Sequence, residues 1–144
     1  MKIALLGYGK MGHVIERLAQ AAGHEIVATR WLGGHSGVLH DADVAIEFSA
    51  PHAAVGHIKE CFNARIPVVC GTTGWLEEFE SVRKLCAEQH GTLLYASNFS
   101  IGVQLFFYLN ERLASLMKDH PSYRPSIEEI HHIHKLDAPS GTAM

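Results

Sequence analysis

The sequence predicts a doubly wound α/β domain on a parallel sheet, with the start of an α+β domain behind it. Three observations lead there. From the N-terminus to Ala96, short β-branched or Leu-rich runs alternate with longer stretches of helical period, the pattern of βαβ units. A glycine-rich turn stands between the first such run and the first helical stretch. After Ala96 that rhythm gives way to one long apolar helical pattern, a Pro-bounded loop and a histidine-rich stretch. The expected division is a dinucleotide-binding domain over 1–98 and the incomplete N-terminal part of a second domain over 99–144.

Strands are expected over 3–6, 25–29, 43–48, 67–70 and 92–96. A helix over 11–22 follows from the spacing of Val14, Ile15, Leu18, Ala19 and Ala22, with Gly23 placed to end it. The connection over 31–41 holds Gly33, Gly34 and Gly37 without helical period and reads as a loop. Pro51 sits at a helix start with Ser49 as an upstream cap, and Ala54, Val55, Ile58, Cys61 and Phe62 form the buried stripe. Phe79, Val82, Leu85 and Cys86 give the same stripe to a helix over 76–89. The helix over 101–118 is apolar around most of its circumference, so both sides should be covered. A loop over 120–125, a strand over 126–131 and a loop entering a helix at Pro139 to Thr142 complete the chain.

Composition narrows the function. With 47% hydrophobic and 19% charged residues the 144-residue chain is globular, not disordered. Twelve basic against fifteen acidic residues leave a net charge of −3, so no general cationic field attracts nucleic acid or anionic lipid. Three cysteines without a Cys-x-x-Cys pair argue against a disulfide scaffold or a zinc-thiolate site. The apolar run after Met1 stops at Gly7, too short for a signal or a membrane span, and the cytoplasm is the expected compartment.

Gly7-Tyr8-Gly9-Lys10-Met11-Gly12 matches G-x-G-x-x-G between a strand and a helix. The first glycine permits the tight turn, the second lets backbone approach a pyrophosphate, and the third lets helix pack on strand, with the helix N-terminus facing the negative charge. At the end of the second strand, where an acid commonly meets the adenosine ribose, the chain reads Thr29-Arg30-Trp31. Arg30 is a candidate for a 2′-phosphate, so NADPH and NADH both stay open; the competing reading is a solvated loop charge. Ligands in such sheets lie beyond the carboxyl ends of the strands. Phe48 and Ser49, then Gly71, Thr72 and Thr73, then Ala96, Ser97, Asn98 and Phe99 are therefore expected to share a crevice with the glycine turn.

Glu128 to Lys135 carries His131, His132 and His134 beside Lys135. As a strand it would alternate faces, giving neighbouring histidines different surroundings. A metal site through the three histidines fits no familiar ligand spacing, and a solvated polar loop is the bland alternative. An acid-base and anion-binding site is the third reading. Lys135 and a protonated imidazole supply positive charge, while Ser140, Gly141 and Thr142 supply free N–H groups at a helix start, a combination suited to a small di-anionic substrate.

These motifs, together with Ala96 to Val103 and above all Glu129 to Ala143, closely resemble the bacterial dihydrodipicolinate reductases, also called 4-hydroxy-tetrahydrodipicolinate reductases. The stretch from Thr29 to His40 is matched poorly. The resemblance implies hydride transfer from NADPH or NADH to a cyclic dicarboxylate on the lysine and diaminopimelate pathway. It implies His131 as proton donor or acceptor, Lys135 as its cationic partner, His132 as a substrate contact, and Gly141 and Thr142, with Ser140, as carboxylate holders. Gly7 to Gly12, Gly71 to Thr73 and Ala96 to Phe99 would contact the cofactor, with no metal required. Family members run well beyond this length and form tetramers through a mixed sheet, so a homo-oligomer is expected where that portion is present. The rival from another class is a nucleotide-binding protein or truncated remnant that holds NAD(P) without turnover.

Overall fold

The protein is described from a computed structural model, which covers residues 1–131, 133 and 139–143. Its elements are β1 (Lys2–Leu6), α1 (Lys10–Ala21), β2 (Glu25–Trp31), β3 (Gly34–Gly37), β4 (Val44–Glu47), α2 (Pro51–Asn63), β5 (Val68–Cys70), α3 (Phe79–Glu88), β6 (Leu93–Tyr95) and α4 (Ile101–Met117). The chain divides into two compact units, Met1–Ala96 and Ser97–Met144, each described by itself.

The first unit carries one six-stranded sheet in the order β3-β2-β1-β4-β5-β6. All pairings are parallel except β2 with β3. The order reverses between β1 and β4, so the topological switch point, where such sheets bind ligands, lies beside the glycine turn. Side-chain alternation divides β1 between two cores. Ile3 and Leu5 pack with Ala19 of α1 on one face, while Ala4 and Leu6 join Ala45, Val68, Ile58 and Phe62 on the other. The expected α2 stripe is buried in full at Ala54, Val55, Ile58, Cys61 and Phe62, with Pro51 in the first turn. Each large apolar side chain so enclosed contributes about 1.5–3 kcal/mol. No helix among the described residues is long and apolar enough to cross a membrane.

Several expectations need correction. The connection over 31–41 contains a strand: β3 folds back antiparallel on β2, and a short 3-10 turn over Leu39–Asp41 follows. Cross-strand pairing decides this, outweighing a composition rich in glycine. Ser49 does not cap α2; the cap position is Ala50, without a side-chain hydrogen bond, because the Ser49 hydroxyl is taken by Glu47. Leu18 is exposed, so α1 buries a narrower face than its period suggested. The helix over 76–89 opens with a 3-10 turn, Leu76–Glu78, before α3.

In the second unit Ser100 caps α4, its hydroxyl accepting from the Val103 amide at 3.5 Å. None of the residues of α4 is buried, contrary to the expectation of cover on both sides. Residues 126–131 are in no strand and pair with no strand among the described residues, contrary to the expectation from their alternation. Described residues 139–143 form a turn, with Ser140 Oγ accepting from the Ala143 amide at 3.2 Å.

The hairpin yields a test. Gly37 has φ +71° and a Cβ there would lie 1.9 Å from the Val27 carbonyl oxygen, whereas a Cβ on Gly33 (φ +86°) meets nothing within 4 Å. Gly37→Ala is expected to lower unfolding stability in urea by about 1–3 kcal/mol or more, and Gly33→Ala by distinctly less. Equal losses would contradict the β2–β3 pairing.

Candidate functional site

The carboxyl ends of β1, β2 and β4 surround a cavity of about 550 Å³ lined by Gly7, Tyr8, Gly9, Arg30, Phe48 and Ser49, with Trp31 to Gly33 and His57. The turn fits under β4 only because Gly7 lacks a side chain. Gly7 has φ +107°, and a Cβ there would sit 2.1 Å from the Phe48 carbonyl oxygen. Its amide donates to the Arg30 carbonyl at 3.0 Å, joining the turn to β2. A Cβ on Gly12 would lie 2.4 Å from the Gly7 carbonyl oxygen, which is the close helix-to-turn packing expected of the third glycine. Gly9 is different: a Cβ there meets nothing within 4 Å, and the residue faces the cavity. Lys10 and Met11 occupy the first turn of α1 and are exposed. The Tyr8 hydroxyl donates to Glu16, a bond that raises its pKa and draws the ring towards α1.

Arg30 reaches the wall between this cavity and a second of about 390 Å³ that also contains His35, His40 and Glu60. Its Nη2 donates to Glu60 at 3.1 Å, and its buried Nη1 has no hydrogen-bond partner among the described residues. The guanidinium is thus an ion-pair member whose Nη1 keeps its N–H donors unpaired among the described residues.

Beneath Phe48 and Ser49 lies a group that the sequence reading missed. Glu47, the last residue of β4, is fully buried. Its Oε1 accepts from the Ser49 amide at 3.1 Å and the Ser49 hydroxyl, with His57 Nδ1 at 3.4 Å; its Oε2 accepts from Cys70 Sγ at 3.1 Å. Burial pushes the Glu47 carboxyl up, but hydrogen bonds from His57, Ser49, Thr72 and Cys70 outweigh it and hold it below the ordinary 4.5. Burial also pushes the Cys70 thiol up to about 12, so it stays protonated and can donate. A carboxylate inside an otherwise apolar strand was the available signal.

Thr72 accepts from the Ser49 amide at 2.8 Å, so the loops after β4 and β5 are tied together. A Cβ on Gly71 would meet the Phe48 ring at 2.1 Å. Thr73 follows in the same loop, half-buried. Ala96, just past β6, donates its amide to the Cys70 carbonyl at 3.2 Å.

In the second unit the Asn98 side chain accepts from the Ser100 amide at 2.8 Å, and its carbonyl from Gln104 at 2.7 Å, fixing the turn that carries Ser97 and Phe99. Glu129 is the other residue that was missed. Its two oxygens accept from the Ser140 amide at 3.0 and 3.2 Å, and Oε2 lies 3.0 Å from His131 Nε2. The Ser140 and His131 hydrogen bonds hold the Glu129 carboxyl below its ordinary value. This places His131 next to the Ser140–Ala143 turn that includes Gly141 and Thr142. His132, His134 and Lys135 lie outside the described residues.

Residues 33–99 match the family model "Dihydrodipicolinate reductase, N-terminus" and residues 102–144 match "Dihydrodipicolinate reductase, C-terminus". The chain is 48% identical over its whole length to a 4-hydroxy-tetrahydrodipicolinate reductase of Christiangramia forsetii and 35% identical over 99% of its length to one of Acinetobacter baylyi. It spans 61% and 60% of those two proteins. Among solved structures, a homoserine dehydrogenase of Thermoplasma acidophilum superposes with a TM-score of 0.56 at 13% identity, covering 66% of this chain and 42% of that one. That likeness, which is one of fold alone, agrees with the doubly wound sheet.

Glu47 makes stability depend on pH with a definite sign. Its folded pKa is depressed, so the stabilisation is complete above 4.5 and is lost as pH falls through the lower folded value. Urea midpoints measured from pH 7 downward should fall more steeply below pH 4.5 for the native chain than for Glu47→Gln. Parallel curves would contradict a depressed Glu47.

Proposed function

The chain belongs to the dihydrodipicolinate reductase family, and from that premise we propose that it carries the cofactor-binding part and the opening of the catalytic part of an NAD(P)H-dependent 4-hydroxy-tetrahydrodipicolinate reductase. The observation that supports this most is the cavity at the switch point, where the glycine turn, Arg30, Phe48 and Ser49 meet. The residues present suit a dinucleotide: Gly9 leaves its backbone open to the cavity, and the α1 N-terminus offers unpaired amides to a pyrophosphate. When bound, a reduced nicotinamide supplies hydride.

In this reading residues 1–98 hold the cofactor, with Gly7, Tyr8, Gly9, Lys10, Met11 and Gly12 at the pyrophosphate. Gly71, Thr72, Thr73, Ala96, Ser97, Asn98 and Phe99 serve the nicotinamide end. Arg30 spares one guanidinium nitrogen for a 2′-phosphate, which favours NADPH, while its Glu60 pair competes for the same charge. Residues 99–144 serve a small cyclic dicarboxylate. A carboxylate only accepts, so the Glu129 contact requires the hydrogen on His131 Nε2 and leaves Nδ1 as the atom that exchanges a proton with substrate. Lys135 adds positive charge, His132 a further substrate contact, and Ser140, Gly141 and Thr142 hold a substrate carboxylate. Negative charge developing on a ring that accepts hydride is then neutralised by a positioned acid.

Titration with NADPH and NADH, followed by turnover of freshly generated 4-hydroxy-tetrahydrodipicolinate, tests the proposal. Gly9→Ala should leave the unfolding midpoint unchanged and weaken NADPH binding, because the added methyl meets no protein atom. His131→Gln should lower turnover on the order of a hundredfold with cofactor affinity unchanged. Turnover equal to the native chain would remove His131 from proton transfer.

A further inference from the structure

Glu47 has no part in the steps above, although a buried carboxylate is costly unless donors surround it. Its donors come from three segments, two of which, the loop after β4 and helix α2, reach the cavity. Ser49 gives two from the loop after β4, Cys70 one from the end of β5, and His57 stands in α2. Ser49 and His57 line the cavity, whereas Glu47 and Cys70 do not. The Ser49 amide is shared with Thr72 Oγ1, so one carboxylate sets the spacing of both loops. The adenosine half of a dinucleotide lies on the β2 side of a switch point, so the other half falls over β4 and β5.

We propose that Glu47 is a positioning residue for the nicotinamide half of the bound dinucleotide, acting through Ser49, Thr72 and His57. This rests on the reading of the cavity as the cofactor site. A neutral amide in its place has one accepting oxygen and a donating NH₂ that faces other donors, so Glu47→Gln should loosen the two loops while the glycine turn and Arg30 keep their contacts.

The test is binding to the purified chain, which needs no turnover. Affinities are measured for NADPH and for 2′-phospho-ADP-ribose, the same molecule without its nicotinamide. Glu47→Gln is expected to weaken NADPH about tenfold and to leave 2′-phospho-ADP-ribose within about twofold of the native value. Cys70→Ala, which deletes one donor outside the cavity, should produce a smaller loss confined to NADPH; it carries the test alone if Glu47→Gln fails to fold. An equal loss of both ligands, or no loss of NADPH, would overturn the proposal. A native chain that binds neither ligand would instead overturn the reading of the cavity, and this inference with it.

Discussion

A carboxylate sealed from water must be met by donors, and at Glu47 they arrive from the loop after β4, the end of β5 and helix α2. Each hydrogen bond to such a charge contributes about 1.5–3 kcal/mol, while removing the charge from water costs several kcal/mol. The donors together outweigh that cost, and because they come from three segments they fix geometry as well as stability. The arrangement fixes the loops that bear Ser49 and Thr72 next to a glycine turn that itself has no room for a side chain beneath Phe48.

The parts of the fold that follow from local period were legible in the sequence. The α2 stripe of Ala54, Val55, Ile58, Cys61 and Phe62 needs only helical spacing and a sheet to cover, and the glycine turn needs only its neighbours β1 and α1. What depended on a distant partner was not legible. β3 exists because His35 and Ser36 pair with Arg30 and Thr29. Ser49 looked like a helix cap, but the fold sends its hydroxyl back to Glu47. Glu129 carries no local signal, because its role comes from reaching the Ser140 amide eleven positions along the chain while also meeting His131.

The second unit places its described groups by hydrogen bonds more than by a core. Asn98 and Ser100 hold the entry to α4, and Glu129 holds the Ser140 turn, while α4 leaves Leu105, Leu109, Leu113 and Leu116 exposed. The chain spans 61% of the Christiangramia forsetii relative, and its likeness to that protein runs through both units. Fold likeness to homoserine dehydrogenases reaches two thirds of this chain, in keeping with a sheet architecture that serves many chemistries.

In the proposed reading the switch-point crevice, braced by the Glu47 carboxylate beneath it, receives a nicotinamide dinucleotide. Amide chemical shifts recorded while NADPH is added to the ¹⁵N-labelled chain test this most directly. Saturable shifts concentrated at Gly7 to Gly12, at Phe48 and Ser49, and at Gly71 to Thr73 are the expected result. No saturable shifts, or shifts confined to the surface between α3 and β6, would contradict it.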